Sequence, residues 1–410
     1  MRETRVILCT LGTRGDILPF ISIAQALLRQ GYQTTIFSNE NWKSLVEGEG
    51  IDFQSIAEAD PSQCGRDDYK FFLKNTLPSF SKSFDLVFQA HCVHPKLLLI
   101  YRSNMLGMEC AAEKIGLPHM KVALQPSAIR SYVRPPWPMT PLAQGAFKPV
   151  FRALVVPALY LAADLSRRYR SHTNAFRQSH GLKPHRFASR AQRSEDATIV
   201  LAPAWFAMPQ ADWPSNTHCV GFPFSEREER DDEIAKFIRD NGKPIVFTPG
   251  TGVQDTQAFF RKAEGACQAL GLPGIFLSPT APSLVLRGQT PILAKSFADF
   301  HWLMPKTRLL VHHGGIGTTA QALRAGIPQL VLPGRFDQPD NAVRVASMGL
   351  GAAIMNETQT GAWASIIEQL LGSPGMPQKL AKVATSIARE NATGKSIKVI
   401  ESVLRRRGAE

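Results

Sequence analysis

The feature that most constrains the fold is an alternation that runs through the chain twice. A short apolar run rich in β-branched residues is followed by a turn, then by a segment with apolar residues at helical spacing. RVILCT (5–10) leads into the turn LGTRGD, and Pro19 opens a segment in which Phe20, Ile23, Ala24, Leu27 and Leu28 share one helix face. Gly31 ends it, and TTIFS (34–38) is the next strand. KLLLIY (96–101), a helix over about 105–115, HMKVAL (119–124) and ATIVLA (197–202) continue the series. The pattern restarts at PIVFTPG (244–250). Strands GIFLS (274–278), RLLVH (308–312), PQLVLP (328–333) and GAAIM (351–355) then alternate with helices near 255–270, 317–325, 360–371 and 376–390. Such alternation implies the α/β class, with parallel sheets covered by helices on both faces. Two series in 410 residues imply two doubly wound domains rather than one core. SEREERDDE (225–233) is the linker candidate. The segment 126–190 breaks the rhythm, with Pro135, Pro136, Pro138 and Pro141 ahead of long helices. An insertion of this length shapes a pocket or lid, or simply packs.

Charge narrows the partners. A net charge of +13 points to an anionic one: a phosphorylated small molecule, nucleic acid or an acidic membrane surface. The basic residues are scattered, with short clusters only at Arg167-Arg168 and Arg405-Arg406-Arg407, which disfavours nucleic acid. Six widely separated cysteines without a CxxC pair suit reduced thiols. MRETRVILCTLG passes into a strand without a signal-peptide hydrophobic region, so a cytoplasmic location is expected. The most apolar window, Val150 to Leu165, is interrupted by Arg152, Pro157 and Asp164 and does not read as a membrane span. The basic charge also suits peripheral docking on the inner face of an anionic membrane.

The chemistry concentrates where a strand ends in VHHGGIGTT (311–319). In an open α/β sheet, ligands bind beyond the carboxyl ends of the strands. Gly314, Gly315 and Gly317 let the backbone approach an anion, and the free N–H groups of the following helix point at it. A histidine and a threonine hydroxyl add side-chain donors. A metal site is disfavoured, because adjacent histidines on an extended segment point to opposite faces. One histidine should face a ligand and the other the packing. Further on, GIPQLVLPGRFDQPDN (326–341) is a strand whose end delivers Asp337, Gln338 and Asn341. An acid beside an amide can accept from and donate to vicinal hydroxyls, as in sugar recognition; each polar residue alone also reads as a turn cap.

HHGGIGTTAQALRAGIPQLVLPGRFDQPDNA resembles the donor-binding signature of the family 1 (UGT-like) nucleotide-sugar glycosyltransferases, and TLGTRGDILPFISIAQALLRQGY resembles the first strand–helix unit of their bacterial members. The form of the motifs is most similar to the rhamnolipid rhamnosyltransferases and to the sterol and antibiotic glycosyltransferases. The resemblance implies a GT-B fold: two Rossmann-like domains facing a cleft. These would be an acceptor-binding domain over 1–224 that includes the 126–190 insertion, a nucleotide-sugar domain over 234–385, and a C-terminal helix within 386–410 returning to the first domain. It implies that His313 contacts the donor diphosphate, that Gly315, Gly317 and Thr318 line it, and that Asp337 and Gln338 hold sugar hydroxyls. Thr251 matches a hydroxyl residue facing the phosphates, and Phe297 the place of an aromatic over the base, with core packing as the competing reading of a lone aromatic. Neither metal nor cofactor is implied, only a UDP- or TDP-sugar as co-substrate, since helix N-termini and donors neutralise the leaving diphosphate.

On the acceptor side, Asp16 stands where many members place a catalytic histidine in the turn before Pro19. A free aspartate, with a pKa of about 3.9, is a weak base at neutral pH unless it is desolvated or the proton moves late and concertedly. Asp16 as a helix cap is the competing reading. Arg14, Gly15 and Asn341 are further cleft candidates. Where the resemblance implies a supporting aspartate the strand runs into Tyr101-Arg102-Ser103, and Arg14 and Arg102 are candidates to position an acidic group of the acceptor or donor, or else plain surface arginines. Trp137, Phe147, Phe151, Leu154, Val155 and Tyr160 fit an apolar acceptor, such as a lipid or an aromatic metabolite, or the core of the insertion. An inverting transferase is the expectation. A nucleotide-sugar 2-epimerase would need further carboxylates and no acceptor pocket, and a non-catalytic partner need not keep the motifs.

Overall fold

The computed structural model describes residues 3–58, 76–136, 139, 150–165, 167–185, 194, 196–225, 228–250, 256–355 and 363–408. The chain divides into two compact units, one made of residues 1–224 with 391–410, the other of 225–390.

The first unit is built on a seven-stranded sheet in the order β3-β2-β1-β4-β5-β6-β7. Its strands are β1 (Arg5–Cys9), β2 (Gln33–Asn39), β3 (Asp52–Ala57), β4 (Leu97–Arg102), β5 (His119–Ala123), β6 (Ala197–Val200) and β7 (Thr217–Cys219). Every pairing is parallel. The apolar runs give buried strands because helices cover both faces, so residues of either parity meet side chains rather than water. Val6, Leu8, Ile36, Leu98 and Ile100 pack on one face beneath helix α1 (Arg14–Arg29), whereas Ile7, Cys9, Leu99 and Tyr101 pack on the other beneath α2 (Leu77–Val93) and α3 (Leu106–Ile115). Helix α1 starts at Arg14, a turn before Pro19, so RGDI is helical rather than part of the preceding turn. Pro19 lies inside the helix, where it leaves the Gly15 carbonyl without its intrahelical donor and its ring crowds that carbonyl.

The insertion contributes α4 (Val156–Leu165) and α5 (Arg167–Ser179). Arg177 of α5, 1% exposed, binds both carboxylate oxygens of Glu113, and Glu109 accepts from the buried Lys121 ammonium (2.8 Å) and contacts His185 Nε2 (3.2 Å). Burial alone would raise the Glu109 carboxyl, but Lys121 and His185 outweigh it and hold it below its ordinary value.

The second unit has a six-stranded parallel sheet in the order β10-β9-β8-β11-β12-β13. The strands are β8 (Ile245–Thr248), β9 (Gly274–Leu277), β10 (Ile292–Lys295), β11 (Leu309–His312), β12 (Gln329–Val331) and β13 (Gly351–Ala353). The acidic end of the linker candidate is already structured: Asp231 caps α6 (Asp232–Asn241) by accepting from the Glu233 and Ile234 amides. Helices α7 (Thr256–Leu270), α8 (Ile316–Ala325), α9 (Gln338–Ser347), α10 (Trp363–Gly372) and α11 (Met376–Arg389) complete the unit. The last helix, α12 (Ala392–Arg407), buries Ile397, Ile400, Val403 and Leu404 in the core of the first unit, beside α1. No helix among the described residues is long and apolar enough to cross a membrane.

Candidate active site

Both sheets have a point where the strand order reverses: between β1 and β4 in the first unit, and between β8 and β11 in the second. Loops leaving the carboxyl ends of such strand pairs diverge to opposite faces and open a crevice. Asp16 and His313 follow strands of these pairs, whereas Asp337 and Gln338 follow β12, the neighbour of β11, and Phe297 follows β10.

In the second unit, β11 ends at His312 and α8 begins after the N-cap Gly315. His312 is fully buried. The Gly314 amide donates to its Nδ1 (3.1 Å), so the proton resides on Nε2, which donates to Gln329 Oε1 (2.9 Å). Burial, with a smaller contribution from His313, pushes its pKa down to about 3. His313 turns the other way. Its ring is wedged between two glycines: a Cβ at Gly250, on the loop after β8, would lie 2.5 Å from Nδ1, and one at Gly315 would lie 2.6 Å from Nε2. Among the described residues the buried Nδ1 has no hydrogen-bond partner, and burial pushes the ring's pKa down to about 4. His313 is therefore a neutral, underused hydrogen-bonding group at the switch point. Beside it, Gly317 is exposed and Thr318 half-buried on the first turn of α8, where backbone N–H groups lack intrahelical partners. Thr319 turns inward and donates to the Gly315 carbonyl.

The loop after β12 carries the acid–amide pair. Gln338 Oε1 accepts from the Gly334 (2.9 Å) and Arg335 (3.0 Å) amides, closing the turn and leaving its Nε2 as the group able to face a ligand. Asp337 is half-buried as the N-cap of α9. Asn341 is not a surface contact: it is fully buried, and its Nδ2 donates to the Gly314 carbonyl (2.9 Å) and to Asp337 Oδ2 (2.7 Å). It braces the glycine loop against the Asp337 turn. Phe297 is half exposed just after β10. Thr251, Trp137 and Phe147 lie outside the described residues.

In the first unit, Asp16 occupies the first turn of α1. Its Oδ2 accepts from the Thr13 backbone N–H (2.7 Å) and hydroxyl (3.0 Å), and its Oδ1 is 3.0 Å from Arg102 Nη1 at the end of β4. Arg102 also donates to the Leu11 carbonyl. Its Nη1 is thus committed to Asp16 and the turn. Arg14 and Gly15 are exposed on the same turn. Tyr160 is buried, donating to the Ser131 carbonyl with Arg130 over its ring, whereas Leu154 is 65% exposed. Among the described residues no three His, Cys, Asp or Glu side chains are grouped to hold a metal ion.

Family comparisons agree on both halves. Residues 291–401 match the model for the erythromycin biosynthesis protein CIII-like C-terminal domain, and residues 6–104 match that for the glycosyltransferase family 28 N-terminal domain. The O-mycaminosyltylonolide 6-deoxyallosyltransferase of Streptomyces fradiae is 26% identical over 97% of this chain and 97% of its own length. The chain belongs to the family 1 GT-B glycosyltransferases. The sterol 3-beta-glucosyltransferase of Vanderwaltozyma polyspora is 27% identical over 96% of this glycosyltransferase, which spans 34% of the fungal chain. Among solved structures, the glycotransferase of kitacinnamycin superposes with a TM-score of 0.73 at 15% identity, covering 97% of this chain and 98% of that one. The spinosyn rhamnosyltransferase SpnG, solved with thymidine diphosphate, gives 0.66 at 17% identity over 97% and 100% of the two chains. The first domain match contains Asp16 and Arg102; the second contains His313 and the Asp337 turn. The resemblance sets the end of β4 beside the Asp16 turn in this glycosyltransferase, but the ion pair between Asp16 and Arg102 appears only with β1 and β4 side by side.

Proposed function

We propose that the enzyme transfers a hexose or 6-deoxyhexose from a UDP- or TDP-sugar to a hydroxyl of a small apolar acceptor, with inversion at the anomeric carbon. The observation that carries the reading is His313, a neutral imidazole held between Gly250 and Gly315, whose Nε2 lies on the side of the α8 N-cap and whose buried Nδ1, against Gly250, has no partner among the described residues. A diphosphate at this helix end would take one hydrogen bond from the ring through Nε2, and the free amides and positive end of the helix dipole meet the remaining charge. Asp337 and the Gln338 Nε2 take sugar hydroxyls, and Phe297 stacks on the base. Relatives that act on a 6-deoxysugar or were solved with thymidine diphosphate support this donor class. The exposed Leu154, Leu159 and Leu161 of the insertion support an apolar acceptor.

In the reaction the acceptor oxygen attacks the anomeric carbon as the bond to the diphosphate oxygen breaks, and the nucleoside diphosphate leaves with the electron pair. The acceptor proton passes to Asp16 late in the step. A carboxylate offers about four lone-pair positions; the contacts from Thr13 and Arg102 occupy three, and the remaining one is on Oδ1. The same bonds favour a second reading of this residue alone, as a brace for the first turn of α1. No metal takes part in the proposed step, so chelation with EDTA should leave the rate unchanged. The function is tested by incubating the enzyme with UDP- and TDP-sugars and a panel of apolar alcohols. Mass spectrometry reports transfer, and proton NMR reports the anomeric configuration. Retention of configuration would end the inverting mechanism, and absence of both transfer and donor hydrolysis would end the reading.

A further inference from the structure

We infer that Phe336 is the surface on which the donor's sugar ring rests, and that it selects 6-deoxyhexoses over hexoses bearing a C6 hydroxyl. The inference deepens the donor assignment above and rests on it. Phe336 has φ 59°, in the left-handed region, and its ring is 77% exposed. Both features work against stability, since a bulky side chain is strained there and a phenyl ring this exposed buries little. Glycine or asparagine would adopt the same backbone at little cost. Strain of this kind persists where the surroundings over-determine a conformation, and here they do. Gln338 Oε1 binds the Gly334 and Arg335 amides on one side, and Asn341 grips Asp337 on the other. Phe336 is the apex between those anchors.

The turn leaves β12, which pairs with β11, the strand that ends at the His313 loop. Asp337 and Gln338 bring hydrogen-bonding groups but no apolar contact. Phe336 supplies the missing half of carbohydrate recognition: a flat ring for the C–H face of a pyranose whose hydroxyls are held at the edge. A C6 methyl group adds to that contact, whereas a C6 hydroxyl over the ring would lose water without gaining a partner.

The test uses the full chain and calorimetric titration of TDP, UDP and their rhamnose and glucose derivatives, with a thermal melt of each unliganded variant. Wild type should bind the better rhamnose derivative about tenfold more tightly than the matching glucose derivative. Phe336→Gly should lose that preference and about five- to tenfold of rhamnose-derivative affinity, keep the bare nucleotide within about twofold, and melt about 2–6 °C higher as the strain is relieved. Phe336→Tyr, which retains the ring and the strain, should keep both preference and melting temperature. An unchanged preference in Phe336→Gly, or an effect confined to the acceptor KM, overturns the inference while leaving the donor reading intact. Failure of wild type to bind either bare nucleotide overturns the donor reading, and this inference with it.

Discussion

Burial holds both histidines of the VHHGG turn neutral, with pKa values near 3 for His312 and 4 for His313. The ordinary histidine value is about 6.5, so as pH falls the unfolded chain takes up protons before the folded one does. The stability they confer is complete above about pH 6.5 and is lost as pH drops toward 4 and then 3, at about 1.4 kcal/mol per pH unit for each ring. Urea unfolding at pH 7.5, 6 and 5 should show this slope in the transition of the second unit, and His312→Asn should remove about half of it. An unchanged slope in that variant would mean the ring is not the buried neutral group described. Asp16 is separable in a similar way. Asp16→Asn keeps an oxygen for the Thr13 amide but cannot take a proton, so kcat should fall at least about 100-fold with donor KM nearly unchanged. Asp16→Ala should add a cap loss of about 1 kcal/mol in stability. Near-normal kcat in Asp16→Asn would make the residue a brace and nothing more.

Two turns, one after β11 and one after β12, act as a single piece because Asn341 bonds to both. Asn341→Ala should cost about 1–3 kcal/mol, leaving the Gly314 carbonyl and the Asp337 carboxylate short of a donor. It should also weaken nucleotide-sugar binding more than nucleotide binding, because the Asp337 turn moves relative to the glycine loop. Gly315→Ala forces the His313 ring out of its slot and should weaken both ligands together. Titration calorimetry of the two variants distinguishes the cases. At this scale the sequence was legible for local patterns. The glycine loop, the opposed histidines and the acid–amide pair can be read from VHHGGIGTT and DQPDN because each depends on a few consecutive residues. Asn341 reads as a ligand contact until the fold buries it, and Phe336 shows no signal, since its left-handed backbone is imposed by Gln338 folding back. Gly250 and His313 are 63 positions apart by their numbering, and only the pairing of β8 with β11 places one against the other.

Across the whole molecule, the central strands were visible as apolar runs, whereas DFQSIA (β3), THC (β7) and ILAK (β10) were not. Each is the edge strand of its sheet, neighboured by one strand instead of two, and is partly exposed, so the burial that enforces an apolar run is weaker there. The buried cluster of Glu109, Lys121, Arg177 and His185 was equally hidden, because charged residues far apart in the chain give no periodicity. The return of α12 to the first unit has a direct consequence. Removing residues 391–410 strips Ile397, Ile400, Val403 and Leu404 from that core, at about 1.5–3 kcal/mol per side chain as an upper estimate, a sum comparable to a domain's whole stability. The truncated chain should lose the first unit to limited proteolysis and leave a protected fragment near 225–390; wild-type resistance throughout would contradict the assignment.

The central claim is that the His313 turn binds the donor diphosphate. Calorimetric titration of TDP and UDP into wild type and His313→Ala, at constant pH and salt, tests it most directly. The account predicts binding of at least one nucleotide to wild type and a loss of about tenfold or more in the variant, whose melting temperature should stay close to wild type. Equal affinity in the two proteins, or no binding to either, would contradict it.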